Sequence, residues 1–209
     1  MLTAAHCVKG GKRKQLSVFA GGASISPKRR PPRIKVTRVV VDPKYNGRKD
    51  SSDFAVLSLA RSPGIPPIEL PTRSEDRSAT RPGRIVRSGG WGTKSAWGFR
   101  TAQRLKATKE QVYRPRKCDR LYGKDRGFIA ASMICALGKR VGRFHSRLPF
   151  HATTCLGDSG GPVVANTPNG PRLVGVVSAG IFPCGLGAPS IYARVSSRLG
   201  FILAVLGQP

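Results

Sequence analysis

A chain of 209 residues, 39% of them apolar, can build one large domain or two small ones around a shared cleft. No apolar run approaches the ~20 residues that a membrane-spanning helix needs, which excludes that class. Lys and Arg number 37 against 10 Asp and Glu, and the net charge of +27 attracts acidic polymers, nucleic acid or anionic lipid and repels basic substrates at long range. The 25 glycines and 17 prolines favour a loop-rich, mostly β protein. Short β-branched runs bounded by Gly, Pro, Asn or Asp predict strands at 34–41, 54–60, 84–92, 162–166, 172–180 and 190–195. Between the second and third lies "PTRSEDRSATRPGR" (71–84), which reads as a linker between two β units, residues 1–80 and 81–209. At the end of the chain Ser196 or Ser197 caps a predicted helix over "RLGFILAVL". Three basic clusters, 9–14, 27–33 and 138–147, read as solvated loops.

The chemistry concentrates in "CLGDSGGPVV" (155–164). Glycine tolerates backbone conformations closed to other residues, so glycines around Asp158 and Ser159 predict a tight loop whose N–H groups face a developing negative charge. A serine hydroxyl is a poor nucleophile at neutral pH and needs a base that a third group holds in place. Three histidines are available: His6 in "LTAAHC", and His145 and His151 in a basic loop. His6 is the candidate base, since it sits in a small-residue segment beside a cysteine. Asp53 opens an apolar strand and is the candidate orienting carboxylate; Asp50 is its rival, set off from the strand by two serines. Taken alone, Asp53 also reads as a strand cap.

"LTAAHC", "DFAVLSL" and "CLGDSGGPVV", in the order His, Asp, Ser, resemble the trypsin/chymotrypsin family of serine endopeptidases. "SGGWGT" (88–93), "SMICA" (132–136), "VGVVSAG" (174–180) and "PSIYARV" (189–195) extend the resemblance over almost the whole chain. It implies an all-β fold of two six-stranded Greek-key barrels, the first incomplete, with a C-terminal α-helix. It implies a triad of Ser159, His6 and Asp53, and an oxyanion hole from the N–H groups of Gly157 and Ser159. The implied specificity pocket has Thr153 at its base, with Ser178, Gly180 and Ser190 in its walls. A trypsin-like member carries an aspartate at that base; Thr153 is neutral, so cleavage after apolar or aromatic residues is expected.

Five cysteines in an oxidising compartment leave two bridges and one orphan. The resemblance pairs Cys118 with Cys135 and Cys155 with Cys184, and leaves Cys7 over. In that family a freed N-terminal ammonium pairs with the aspartate before the nucleophile, Asp158 here. Met1 leads at once into "LTAAHC", so the leader, the activating N-terminus and the partner of Cys7 are expected upstream. Without that ammonium Asp158 is expected to swing out or find another cation, and activity is expected to be weak. No cofactor and no metal is implied. The expected partners are protein or peptide substrates, with acidic polymers or anionic surfaces at the basic loops; the expected state is a secreted monomer. The second reading is an inactive homologue that binds anionic polymers. Specific nucleic-acid binding finds no helix-turn-helix, zinc-finger or aromatic stacking motif.

Overall fold

The computed structural model describes residues 1–11, 16–47, 52–98, 100–126, 128–144 and 148–207. Asp50, His145, residues 12–14 of the first basic cluster and 145–147 of the third lie outside the described residues.

The chain opens with β1 (Leu2–Thr3), a 3₁₀ turn (Ala5–Cys7), β2 (Ser17–Phe19), β3 (Arg33–Val41) and β4 (Ala55–Leu59). Helix α1 (Arg73–Ala79) leads into β5 (Ile85–Gly90), β6 (Lys106–Val112), α2 (Pro115–Arg126) and β7 (Met133–Gly138). Then come β8 (Arg140–Phe144), β9 (Leu148–His151), β10 (Pro162–Thr167), β11 (Gly170–Ala179) and β12 (Ser190–Arg194). A 3₁₀ turn (Val195–Arg198) and α3 (Leu199–Leu206) finish it.

Strands β1 to β4 form an open antiparallel sheet in the order β1-β4-β3-β2. In β3, Ile34 and Val36 are buried while Arg33 and Lys35 are exposed, the period-2 pattern of a sheet with one wet face. The other six long strands close into a barrel, β10-β11-β12-β7-β6-β5, with β5 pairing back onto β10. Closure leaves no strand edge unpaired. The barrel interior holds Val86, Val112, Ile134, Ala136, Val163, Val174, Val177 and Tyr192. The fold is therefore mostly β, with one closed six-stranded barrel, one half-barrel and a C-terminal helix.

A second apolar cluster joins the two sheets. Ala4 and Phe54, both fully buried, pack with Leu173, Val176, Ala193, Val195 and Ile202. Burial of a side chain as large as Phe54 stabilises by about 1.5–3 kcal/mol. Nearby, the guanidinium of Arg198 donates to both oxygens of Asp42, Nε to Oδ2 at 2.5 Å and Nη2 to Oδ1 at 2.6 Å. This bidentate pair, 156 residues apart in sequence, fastens the start of α3 to the loop after β3.

Residues 73–79, read from sequence as linker, are helical. Thr72 accepts from the Glu75 N–H and Glu75 accepts from the Thr72 N–H, a capping box that satisfies two otherwise unpaired donors. Residues 140–144 of the third basic cluster pair with 148–151, just beyond it, as two antiparallel strands rather than forming a loop. Helix α3 starts at Leu199 without a serine cap. Ser197 Oγ donates instead to Arg194 O and Ser196 Oγ to Asp76 Oδ2, because both hydroxyls are turned toward the preceding segment and α1.

Replacement of Asp42 by Ala leaves the half-buried Arg198 guanidinium unpaired. The expected loss of unfolding free energy is about 3–5 kcal/mol, read from the urea midpoint.

Candidate active site

Asp53 sits where the loop after β3 turns into β4. Its neighbour Ser52 has φ of 61°, a left-handed conformation that aims the following carboxylate inward. The Asp53 side chain is 0% exposed. Three donors satisfy it: the His6 N–H at 2.9 Å, His6 Nδ1 at 2.7 Å and Ser178 Oγ at 2.6 Å. His6 comes from the first 3₁₀ turn, and Ser178 from β11 of the closed barrel. The small residues Ala4 and Ala5 are wholly buried, which lets the His6 turn lie close against the barrel.

The hydrogen bond to Asp53 raises the His6 pKa to about 10, with a further contribution from Cys7 and opposition from burial. The outer nitrogen of His6, Nε2, lies 3.5 Å from Cys7 Sγ, the free and exposed thiol of the chain.

The serine loop approaches from the barrel side. Gly157 has φ of 90° and Gly160 φ of 78°, where a side chain would be strained. A Cβ on Gly160 would lie 2.3 Å from Thr3 Oγ1 and 3.4 Å from Cys7 Sγ, so this loop abuts the His6 turn at van der Waals range. Ser159 is exposed. Among the described residues, no hydrogen bond joins Ser159 to His6, and the N–H groups of Gly157 and Ser159 have no acceptor.

Asp158 does not swing out. Its Oδ1 accepts from the Gly92 N–H at 2.8 Å and its Oδ2 from the Cys155 N–H at 2.9 Å. Two backbone donors offset much of the desolvation of a carboxylate, so no cation is needed to hold it inward. A Cβ at Gly90 would stand 2.2 Å from that carboxylate, which explains the glycine there.

A cavity of 180 Å³ opens beside Ser159. Ser178, Gly180, Ile181, Phe182 and Ser190 line it, and no carboxylate does. Thr153 is absent from this lining. It touches Ser190, with Oγ1 2.8 Å from Ser190 Oγ, and faces a second cavity of 340 Å³ that also holds Asp158. Behind Ser190, the hydroxyls of Thr154 and Tyr192 lead to the fully buried Glu110, which also accepts from Ser88 Oγ at 2.5 Å. Burial pushes the Glu110 pKa up to about 7, against its hydroxyl donors, and the Asp158 charge adds to the rise.

Disulfides join Cys118 to Cys135 and Cys155 to Cys184, with Cα separations of 6.4 and 5.7 Å. The second braces the serine loop against the segment after β11. His151 is remote in role: its Nδ1 meets the Gly138 carbonyl oxygen at 3.1 Å. Among the described residues no group of three or more His, Cys, Asp or Glu is arranged to hold a metal, and no helix is long and apolar enough to cross a membrane.

Sequence reasoning placed Ser178 in a pocket wall and missed its bond to Asp53. It also missed the approach of Cys7 to Nε2 and the Glu110–Tyr192 contact. Only the last had a signal, an acidic residue in a strand-like run, and alternation alone does not say which face of β6 points inward.

A histidine held by a buried carboxylate, in a cleft between two barrel-like β sheets, defines the class. The Trypsin family model matches residues 1–202, and the chain belongs to that family of serine endopeptidases. It is 32% identical over 197 residues to a trypsin of Saccharopolyspora erythraea, covering 94% of this chain and 78% of that protein. It is 29% identical over 219 residues to human kallikrein-10, covering 99% and 70%. The solved structure of mouse neuropsin, a serine protease expressed in the limbic system of the brain, superimposes with a TM-score of 0.78 at 28% identity, covering 98% of this chain and 83% of that one.

Replacement of Asp53 by Asn removes the main cause of the raised His6 pKa. An NMR titration of the imidazole is expected to show a midpoint near 10 in the native chain and a fall toward ~6.5 in the variant. The sign for stability follows. The native pair contributes fully below pH ~6.5, and that contribution is lost as pH rises through about 10.

Proposed function

We propose that this chain cleaves peptide bonds through an acyl-enzyme on Ser159, with His6 as base and Asp53 as its support. The unit 1–80 contributes His6 and Asp53, and the unit 81–209 contributes Ser159 and the pocket. The observation that carries the reading is the buried Asp53 carboxylate 2.7 Å from His6 Nδ1, which engages that nitrogen and leaves Nε2 as the one to serve Ser159.

Ser159 Oγ attacks the substrate carbonyl and passes its proton to His6 Nε2. The oxyanion that forms takes hydrogen bonds from the N–H groups of Gly157 and Ser159. Each such donor lowers the barrier by about 3–4 kcal/mol. His6 then gives its proton to the leaving amine, and water, activated in the same way, releases the acyl group. The free state of those two N–H groups supports this assignment, since no internal acceptor competes for them. Asp158, held by the Gly92 and Cys155 N–H groups, fixes the oxyanion loop from within.

The pocket takes an apolar or aromatic side chain. Its lining has no carboxylate to pair with Lys or Arg, and Ile181 and Phe182 give it an apolar wall. Two disulfides suit an oxidising, extracellular setting. The protein acts there as a monomer, without cofactor or metal.

A second reading, an inactive homologue that binds anionic polymers, is favoured by one observation. His6 Nε2 lies 3.5 Å from the Cys7 thiol, and among the described residues no hydrogen bond joins it to Ser159.

Labelling with a serine-reactive phosphonate separates the two. The protease reading expects an adduct on Ser159 that is absent from Ser159→Ala, and faster turnover of Phe or Leu chromogenic substrates than of Arg ones. No adduct favours the inactive homologue; faster Arg turnover overturns the pocket assignment. The rate is expected to climb with pH toward about 10 as His6 loses its proton. Cys7→Ala removes a secondary cause of the raised pKa and is expected to move that limb to lower pH.

A further inference from the structure

The cavity richest in cationic side chains lies away from Ser159. It measures 760 Å³ and is bordered by α1, the segment before β7 and the 3₁₀ turn after β12. Its lining contains Lys44, Arg73, Arg77, Arg81, Arg194 and Arg198 against one carboxylate, Asp76.

The cations differ in state. Arg194 is bound to Asp76 at 2.6 Å, and Arg198 is bound to Asp42. Asp76 is also held by Ser196 Oγ, so the charge of the lone carboxylate is already engaged. The remaining four, Lys44, Arg73, Arg77 and Arg81, are exposed and have no carboxylate within ion-pair distance among the described residues. The other acid of α1, Glu75, points elsewhere and pairs with Arg172 at 3.3 Å.

Arg73 and Arg77 lie one turn apart on α1, Arg81 follows just beyond its C-cap, and all three line the cavity. At 1.5 Å per residue Arg73 and Arg77 stand about 6 Å apart along the helix axis. Lys44 faces the same space from the loop after β3. Four like charges converging on one concavity, with low-dielectric walls, concentrate positive potential there. Folding leaves that repulsion uncompensated, and a ligand with several oxyanions would relieve it.

We propose that this cavity binds a sulfated polysaccharide chain. Guanidinium groups take sulfate half-ester oxygens by paired hydrogen bonds, and three around one cavity meet successive sulfates along one chain. The disulfides suit an oxidising compartment, where such polymers are displayed. Single-stranded nucleic acid fits less well, because it needs open aromatic faces for its bases. The cavity offers Tyr113, already covered by Lys117 Nζ at 4.0 Å, and Phe128, packed on an internal cluster.

The site is independent of the proteolytic reading, and the test needs no activity. A fluorescein-labelled heparin octasaccharide is titrated against the full chain by anisotropy at physiological salt. Its de-sulfated counterpart and a single-stranded oligonucleotide of equal charge serve as comparisons. The Arg73→Gln/Arg77→Gln/Arg81→Gln variant is expected to weaken binding by about tenfold or more. The charge-matched control Lys28→Gln/Arg29→Gln/Arg30→Gln, on the second basic cluster, is expected to change it by less than about threefold. In the native protein the octasaccharide is expected to protect Arg73, Arg77 and Arg81 from phenylglyoxal, which tests the site without any substitution. Equal losses in both variants, no protection, or oligonucleotide binding as tight through the same arginines would each overturn the proposal.

Discussion

The arrangement depends on one buried carboxylate. Asp53 is held by a histidine 47 residues before it and a serine 125 residues after it. A bare carboxylate at zero exposure would cost several kcal/mol, so its three donors are a condition of folding as much as of chemistry. Because His6 and Asp53 belong to the open sheet and Ser178 to the barrel, satisfying Asp53 aligns the two. The cluster of Ala4, Phe54, Val176 and Ile202 supports the same seam with apolar contact.

The serine loop shows a similar coupling between backbone and charge. Asp158 points inward because the N–H groups of Gly92 and Cys155 converge on it. That orientation needs a close approach at Gly90 and positive φ at Gly157. In the same turn the Gly157 and Ser159 N–H groups have no acceptor among the described residues. His6, Asp53 and Asp158 lie in and around one cleft, while the Ser190 cavity beside them is neutral. The basic residues that dominate the composition are elsewhere, and Lys44, Arg73, Arg77 and Arg81 meet around one cavity beside α1.

Much of the strand layout was legible. The runs at 34–41, 54–60, 162–166, 172–180 and 190–195 fall within a few residues of β3, β4, β10, β11 and β12, because β-branched residues between Gly and Pro breakers constrain the backbone locally. Helix α1 has a local signal of its own. Thr72 and Glu75 spell a capping box, but the surrounding charge and proline look like linker composition. Residues 140–144 and 148–151 carry no alternation, and only pairing with each other makes them strands.

By itself the sequence determined the residue types at the site: an imidazole at position 6, a strand-opening carboxylate at 53, and a glycine-flanked hydroxyl at 159. These are local facts of motif and spacing. Tertiary structure alone decided that Ser178 completes the Asp53 shell, that Cys7 stands at Nε2, that Thr153 lies beside a different cavity from Ser190's, and that Arg73, Arg77 and Arg81 share a concavity with Lys44. The reason is range. Propensity and capping act over a few residues, whereas burial and charge satisfaction act between residues that only the closed barrel and its packed neighbour bring together.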